Sequence, residues 1–366
     1  MRMLNVEILG GVGEYGRNCF FIENNGHAIL LDCGVMNNRQ KTPPNLTQAH
    51  VAKLDAVFIS HSHTDHVGAL PLLENWGYTG PIIMSEMTAQ QLKQSCQLAK
   101  TFQPESIGEW IGVSNGLSFQ WGYSGHLIGS VWYKIRFFEE VLFYSGDYVV
   151  DSYLLKATLP IEDGTIYDVA FIDSGHVEKR INNLDVLQQM TEYIHANPGC
   201  PIILPSSFSG KTVDIATYLF QHTTRSICIH DNLLSLFENY YEEPENLLPT
   251  KTILPSFKRQ CLIKTIDSEN AIYFVPERDE TKLEDLLHKK SNAIVIFTGY
   301  WNKGKYNMQF SRNQHKVFFY KTHPDYHDII TLSKKIHAQK TIYFHSSLTT
   351  KETTFLQLIK NEEEVL

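Results

Sequence analysis

The sequence predicts an α/β protein with strands and helices in alternation and a smaller α/β unit set into the chain. Three observations carry this. Short apolar runs separated by Gly, Asn and Pro turns fill the first part, apolar runs alternate with helix-length amphipathic segments from about Val177 to Phe319, and strand, helix, strand returns afterwards.

The opening reads as a β-meander. An apolar run meets turn chemistry at Gly10, Gly11 and Gly13, Cys19–Ile22 follows, and Asn24-Asn25-Gly26 signals a hairpin before Ala28–Leu31. After a polar loop with Pro43 and Pro44, Ala56–Ile59 reads as a buried strand that delivers HSHTDH onto a loop and a helix. Strand and helix alternate through Pro81–Met84, a helix over Glu86–Lys100, Val131–Phe138, Val141–Tyr144 and a strand in Ile166–Ile172. The βαβ-like stretch comprises Pro201–Leu204 into Lys211–Gln221, Ser226–Ile229 into Leu233–Tyr241, and Ala293–Phe297. Lys316–Tyr320, Asp325–Ile336, Thr341–Phe344 and a final helix complete the chain.

Composition narrows the class. With 43% hydrophobic and 20% charged residues the chain has ordinary globular character, and no basic leader or long apolar span marks export or membrane insertion, so a cytoplasmic protein without a membrane partner is expected. The cysteines Cys19, Cys33, Cys96, Cys200, Cys228 and Cys261 lack close C-x-x-C pairs and read as reduced core thiols. The net charge of −8 opposes unspecific adhesion to nucleic acid, yet a site presenting metal ions can accept phosphate on an acidic protein.

The 16 histidines matter through their spacing. His61-Ser62-His63 in an extended segment turns both imidazoles to one side, while Asp65 and His66 begin the next turn and helix, so two adjacent metal sites can be fed from six residues. Placed after an apolar strand, the full H-x-H-x-D-H is a specific metal signature.

Here the sequence resembles the metallo-β-lactamase superfamily. That family's ordered motifs match Asp32 in ILLDCG, the HSHTDH stretch, His126 in GHLIGS and Asp147 in LFYSGDY. The resemblance extends to the nucleic-acid-processing β-CASP branch, near ribonuclease J and the polyadenylation-factor nucleases: GGVGEYGRNCFFIE looks like the ribonuclease J opening, motif A matches Asp173 in FIDSG, motif B His323 in KTHPDYHDI, and motif C His345 in TIYFHSS. It implies an αββα sandwich over residues 1–176 and 319–366 with a β-CASP α/β domain inserted at 177–318. Lys321-Thr322 stands where RNA-directed members carry Ser-Gly, and Ser346-Ser347 where they carry Gly-Glu.

By the same resemblance, His61, His63 and His126 hold one zinc, Asp65, His66 and His345 a second, and Asp147 bridges them, with manganese or another divalent ion as substitute. The pair shares a hydroxide nucleophile, His323 protonates the leaving oxygen with Asp173 orienting it, and Asp32 fixes the metal-binding loop. The implied activity is exo- or endonucleolytic hydrolysis of RNA, leaving a 5′-phosphate. DNA is the alternative polymer, because the altered surroundings of His323 and His345 remove part of the RNA signature. Hydrolysis of a small ester or phosphodiester is the other enzyme class, and a scaffold without activity is opposed by retention of all seven ligands.

Two further stretches bear on substrate. Ser206-Ser207-Phe208-Ser209-Gly210-Lys211-Thr212 stands between a strand and a helix, where amides can cradle an anion. Pro205 occupies the place of a P-loop's first Gly, leaving a nucleotide-backbone contact through Ser207, Gly210 and Lys211, or plain helix capping. Tyr300 and Trp301 can stack on a base or serve as packing. The spacing of Gly11, Gly13 and Gly16 is turn chemistry rather than a dinucleotide fingerprint, since a strand follows it.

Overall fold

The computed structural model describes residues 4–92, 97–262, 269–299 and 314–364. The chain divides into two compact units, one formed by Met1–Val150, Ala157–Arg180 and His323–Leu366, the other by Asp151–Lys156 and Ile181–Thr322.

The first unit contains two six-stranded sheets. In one, Asn5–Gly10, Cys19–Asn24, His27–Leu31, Leu54–Phe58, Ile82–Ser85 and Ala99–Phe102 lie side by side in chain order, antiparallel for the first three and parallel from there on. Asn25 and Gly26 form the first hairpin's turn, both at positive φ (54° and 84°), as the Asn-Gly pair requires. The other sheet runs Thr341–Phe344, Val169–Asp173, Glu140–Tyr144, Val131–Phe137, Leu117–Tyr123, Ile111–Ser114.

Side-chain alternation explains the layering. Phe20, Ile22, Leu31 and Phe58 of one sheet meet Phe119, Tyr133, Tyr144 and Phe171 of the other in a common core. The intervening Cys19, Phe21 and Leu30 pack with Val51, Val67 and Leu73 from the helical side, and Phe143, Ala170 and Ile172 pack with Ile329, Leu332 and Ile359 on the opposite face. Each central strand buries both faces, so it reads as a continuous apolar run. This is an αββα sandwich.

The second unit has a five-stranded parallel sheet, ordered Ile227–Ile229, Ile272–Pro276, Ile202–Ser206, Ile294–Phe297, His315–Val317. Helices Asn183–His195, Gly210–His222, Asp231–Glu242 and Glu280–Lys289 connect or flank these strands.

One sequence expectation is corrected. The helix beginning at Glu86 ends at Gln91, and Ala99–Phe102 is a strand paired in parallel with Ile82–Ser85, because sheet pairing overrides the helical reading of that stretch. Asp151–Lys156 lies in the second unit. The Asp214 carboxylate accepts hydrogen bonds from Ser152 Oγ (2.7 Å) and from the amides of Tyr153 and Leu154 (both 3.0 Å), and so ties this segment to the helix Gly210–His222.

Among the described residues no helix is long and apolar enough to cross a membrane. Cys19, Cys33, Cys200, Cys228 and Cys261 are free thiols, all buried except the half-buried Cys200, and Cys96 lies outside the described residues.

Candidate metal centre

The central strands of the first unit end where chemistry is needed. Leu54–Phe58 leads into Ile59, Ser60 and His61, and His63 stands in extended conformation (φ −64°, ψ 146°) at the head of the helix Thr64–Val67, which carries Asp65 and His66. Glu140–Tyr144, Val169–Asp173 and Thr341–Phe344 run parallel to one another, so Asp147, Asp173 and His345 gather at a common edge. His126 follows Leu117–Tyr123 in a turn where Ser130 Oγ accepts from the amides of His126 (3.2 Å) and Leu127 (3.0 Å).

The ligand atoms of His61, His63, His126 and Asp147 lie within 4.8 Å of one another, as do those of Asp65, His66 and His345. Asp147 faces both groups. Its Oδ2 is 3.7 Å from His61 Nε2 and 3.5 Å from His126 Nε2, while its Oδ1 is 3.2 Å from both His66 Nε2 and His345 Nδ1. Asp65 Oδ2 stands 3.9 Å from His66 Nε2 and 3.8 Å from His345 Nε2.

This donor set fits metal ions. His63 Nδ1 lies 3.0 Å from His61 Nε2 and 3.1 Å from His126 Nε2, and one proton cannot satisfy three converging ring nitrogens, whereas one cation can. Burial, followed by the charge of His66, drives the His61 pKa well down, so its imidazole stays neutral as a ligand must. Burial also opposes charge on His66 and Asp147, but each outweighs it through its partners: Asp147 and Asp32 raise His66, and His66, His345 and His323 depress Asp147.

Asp32 braces His66 and Ser60 from behind. It is fully buried at positive φ (55°), accepts from Ser60 N and Ser60 Oγ at 2.7 Å each and from His66 Nδ1 at 2.5 Å, and also receives the Tyr144 hydroxyl. The bond to Nδ1 leaves His66 Nε2 directed at Asp147.

Beside the ligands, His323 Nδ1 lies 2.9 Å from Asp173 Oδ2, and Asp173 accepts in addition from the amides of Tyr148 (3.1 Å) and Gly175 (2.9 Å). Burial lowers the His323 pKa, but Asp173 and Asp147 outweigh it and push it up to about 9. The His323 ring centroid is 4.3 Å from that of His345 and 5.3 Å from that of His126. A Cβ on Gly175 would stand 2.7 Å from His323 Cγ, so glycine is required for the ring to sit there.

The structure thus assembles His61, His63, Asp65, His66, His126, Asp147, His345, Asp173 and His323, with Asp32 behind them. Sequence reading missed His176, whose ring meets that of His323 edge-on at 5.1 Å, Ser60 and Tyr144 on Asp32, and Tyr15 at 5.8 Å from the His345 ring. Only His176 carried a signal, three residues after Asp173. Ser207, Gly210 and Lys211 lie in the second unit. There Ser207 Oγ bonds Ser209 Oγ (2.9 Å), Ser207 O accepts from Thr212 Oγ1 (2.7 Å), and burial lowers the Lys211 pKa to about 8. Tyr300 and Trp301 lie outside the described residues.

A family model described as the metallo-beta-lactamase superfamily matches residues 12–89, the stretch that holds Asp32 and HSHTDH. The chain carries a metallo-β-lactamase domain. It is 26% identical over 253 residues to Integrator complex subunit 11 of Danio rerio, covering 59% of this chain and 42% of that protein. It is 25% identical over 238 residues to a ribonuclease of Thermus thermophilus, covering 59% and 54%. A transcription termination factor, FttA of Cenarchaeum symbiosum, is 39% identical over 90 residues, covering 23% and 14%. The chain spans about half, or less, of the length of these curated relatives. A crystal structure of a protein of unknown function from Enterococcus faecalis V583 superposes with a TM-score of 0.61 at 13% identity, covering 95% of each chain, a likeness of fold.

Proposed function

We propose that this protein is a metal-dependent ribonuclease that hydrolyses RNA phosphodiester bonds with two zinc ions. The observation that carries the reading is Asp147, whose two oxygens face separate ligand groups, His61 with His126 and His66 with His345. In this reading His61, His63 and His126 hold one ion, Asp65, His66 and His345 the other, and Asp147 is common to both. When bound, the pair supplies Lewis acidity, acidifying water and stabilising charge on a phosphoryl oxygen.

The chain's own residues supply the rest. His323 carries its proton on Nε2 for the departing ribose oxygen, because Nδ1 is engaged by Asp173 at 2.9 Å. Asp173, itself held by two backbone amides, fixes the ring. We assign the second unit to the inserted β-CASP domain on its parallel sheet and on the place of its main segment, Ile181–Thr322, between Asp173 and His323 in the chain. RNA is the preferred polymer because one matched relative is a ribonuclease and because His345 occupies the motif C position.

The test is cleavage of end-labelled single-stranded RNA and DNA of one sequence, with 5′-phosphate or 5′-hydroxyl ends, by zinc-loaded protein beside Asp65→Ala. RNA cleavage that disappears in Asp65→Ala supports the reading, and mononucleotides from a 5′ end assign exonuclease action. DNA cleavage alone, or no cleavage by the fully loaded protein, overturns it.

A further inference from the structure

Tyr15 is mounted the wrong way round for a tyrosine that serves packing. Such a residue normally buries its ring and lets the hydroxyl reach water. Here the Tyr15 hydroxyl donates at 2.6 Å to Glu352 Oε1, a buried carboxylate, while the residue remains 41% exposed. Glu352 Oε2 is held in turn by Ser347 Oγ (2.9 Å) and by the amide and hydroxyl of Thr349 (2.8 Å each). Burial works against this carboxylate, but the bonds from Tyr15, Thr349 and Ser347 outweigh it and hold its pKa below the usual range.

The mount is stiff and stands beside the metal ligands. The Tyr15 ring centroid is 5.8 Å from that of His345, at 57° between planes. Both loops are braced: His345 N donates to Gly11 O at 2.8 Å, Val12 and Ser346 form a bridge, and Glu14 Oε1 accepts from Gly11 N (3.1 Å) and Arg17 Nε (2.6 Å). Leu348, also 41% exposed, lies 3.7 Å from where a Cβ of Gly13 would be. An apolar rim therefore adjoins a charged cluster. A single-stranded polynucleotide presents those two chemistries together, a phosphate and an apolar base face.

Resting on the ribonuclease reading, we propose that Tyr15 is a stacking platform for a nucleobase next to the scissile phosphate, with Glu352 its positioning residue. Base–aromatic stacking tolerates any base, so the contact confers grip on single strands without sequence choice.

The test measures binding of a labelled single-stranded RNA by fluorescence anisotropy, in zinc-loaded protein carrying His323→Ala to slow turnover, alongside KM and kcat in the otherwise unaltered protein. Tyr15→Ala and Tyr15→Leu are expected to weaken binding and raise KM by about tenfold or more, and Tyr15→Trp to stay near the parent, since each stacked base contributes roughly 1–3 kcal/mol. Tyr15→Ala or Tyr15→Leu binding like the parent overturns the inference, and so does Tyr15→Trp losing as much as Tyr15→Ala. Zinc content and a thermal melt on each variant separate a collapsed loop from a lost platform, since Tyr15→Leu removes the bond to Glu352 as well as the π face. A parent that neither binds nor cleaves RNA removes the ribonuclease reading itself, whereas a parent that cleaves while Tyr15→Ala is unaffected removes this inference alone.

Discussion

His66 Nδ1 lies 2.5 Å from Asp32 Oδ2, and that contact leaves Nε2 as the ring nitrogen that faces Asp147. Asp32→Asn suits the left-handed backbone at this position but removes the anionic partner of His66 and Ser60. Zinc affinity is expected to fall by about 10–100-fold, as for other groups that orient a ligand from behind. Competition against a chromophoric chelator reads this directly, and an unchanged affinity would remove Asp32 from the role.

His323 and the ligands are separable. His323→Ala is expected to retain full zinc while RNA turnover drops by roughly 10²-fold or more, the scale of lost general-acid help. Asp65→Ala is expected to lose both zinc and turnover. Metal analysis by plasma emission on the two variants decides the matter: zinc loss in His323→Ala would make it a ligand.

Gly175 offers a subtler probe of the same proton. Alanine there must displace the His323 ring, because its Cβ would stand 2.7 Å from Cγ. Turnover should fall by about tenfold or more through misplacement alone, with zinc content and KM close to the parent. A variant with parental kcat would show that the ring's position has slack.

Asp214 couples pH to the stability of the second unit. Burial pushes its pKa up to about 6, although Tyr320, Ser152 and the amides of Tyr153 and Leu154 donate to it. A pKa raised above the unfolded value of about 3.9 means that folding favours the protonated form. The associated stabilisation is complete below about pH 4 and is lost as pH rises through about 6, amounting to about 2–3 kcal/mol. Urea denaturation of the parent and Asp214→Asn should show the parent losing that much relative to the variant between about pH 4 and pH 7. A pH-independent difference would contradict the assignment.

Sequence alone determined whatever depends on neighbours along the chain. His61, His63, Asp65 and His66 declare themselves because an extended H-x-H places two rings on one side and the following helix turn adds two donors. The Asn-Gly hairpin and the apolar strand runs were legible on the same local grounds. His126, Asp147, Asp173, His323 and His345 could be picked out only through family motifs, since nothing near any of them specifies a partner. Tertiary structure brought Asp147, Asp173 and His345 to one edge by aligning the ends of parallel strands, and set His126 and His323 beside them. It alone paired Tyr15 with Glu352, 337 residues apart, placed Ala99–Phe102 in a sheet, and tied Asp151–Lys156 to Asp214. The physical reason is that strand pairing and burial of a carboxylate's partners depend on which segments meet in space, and local periodicity holds no record of that.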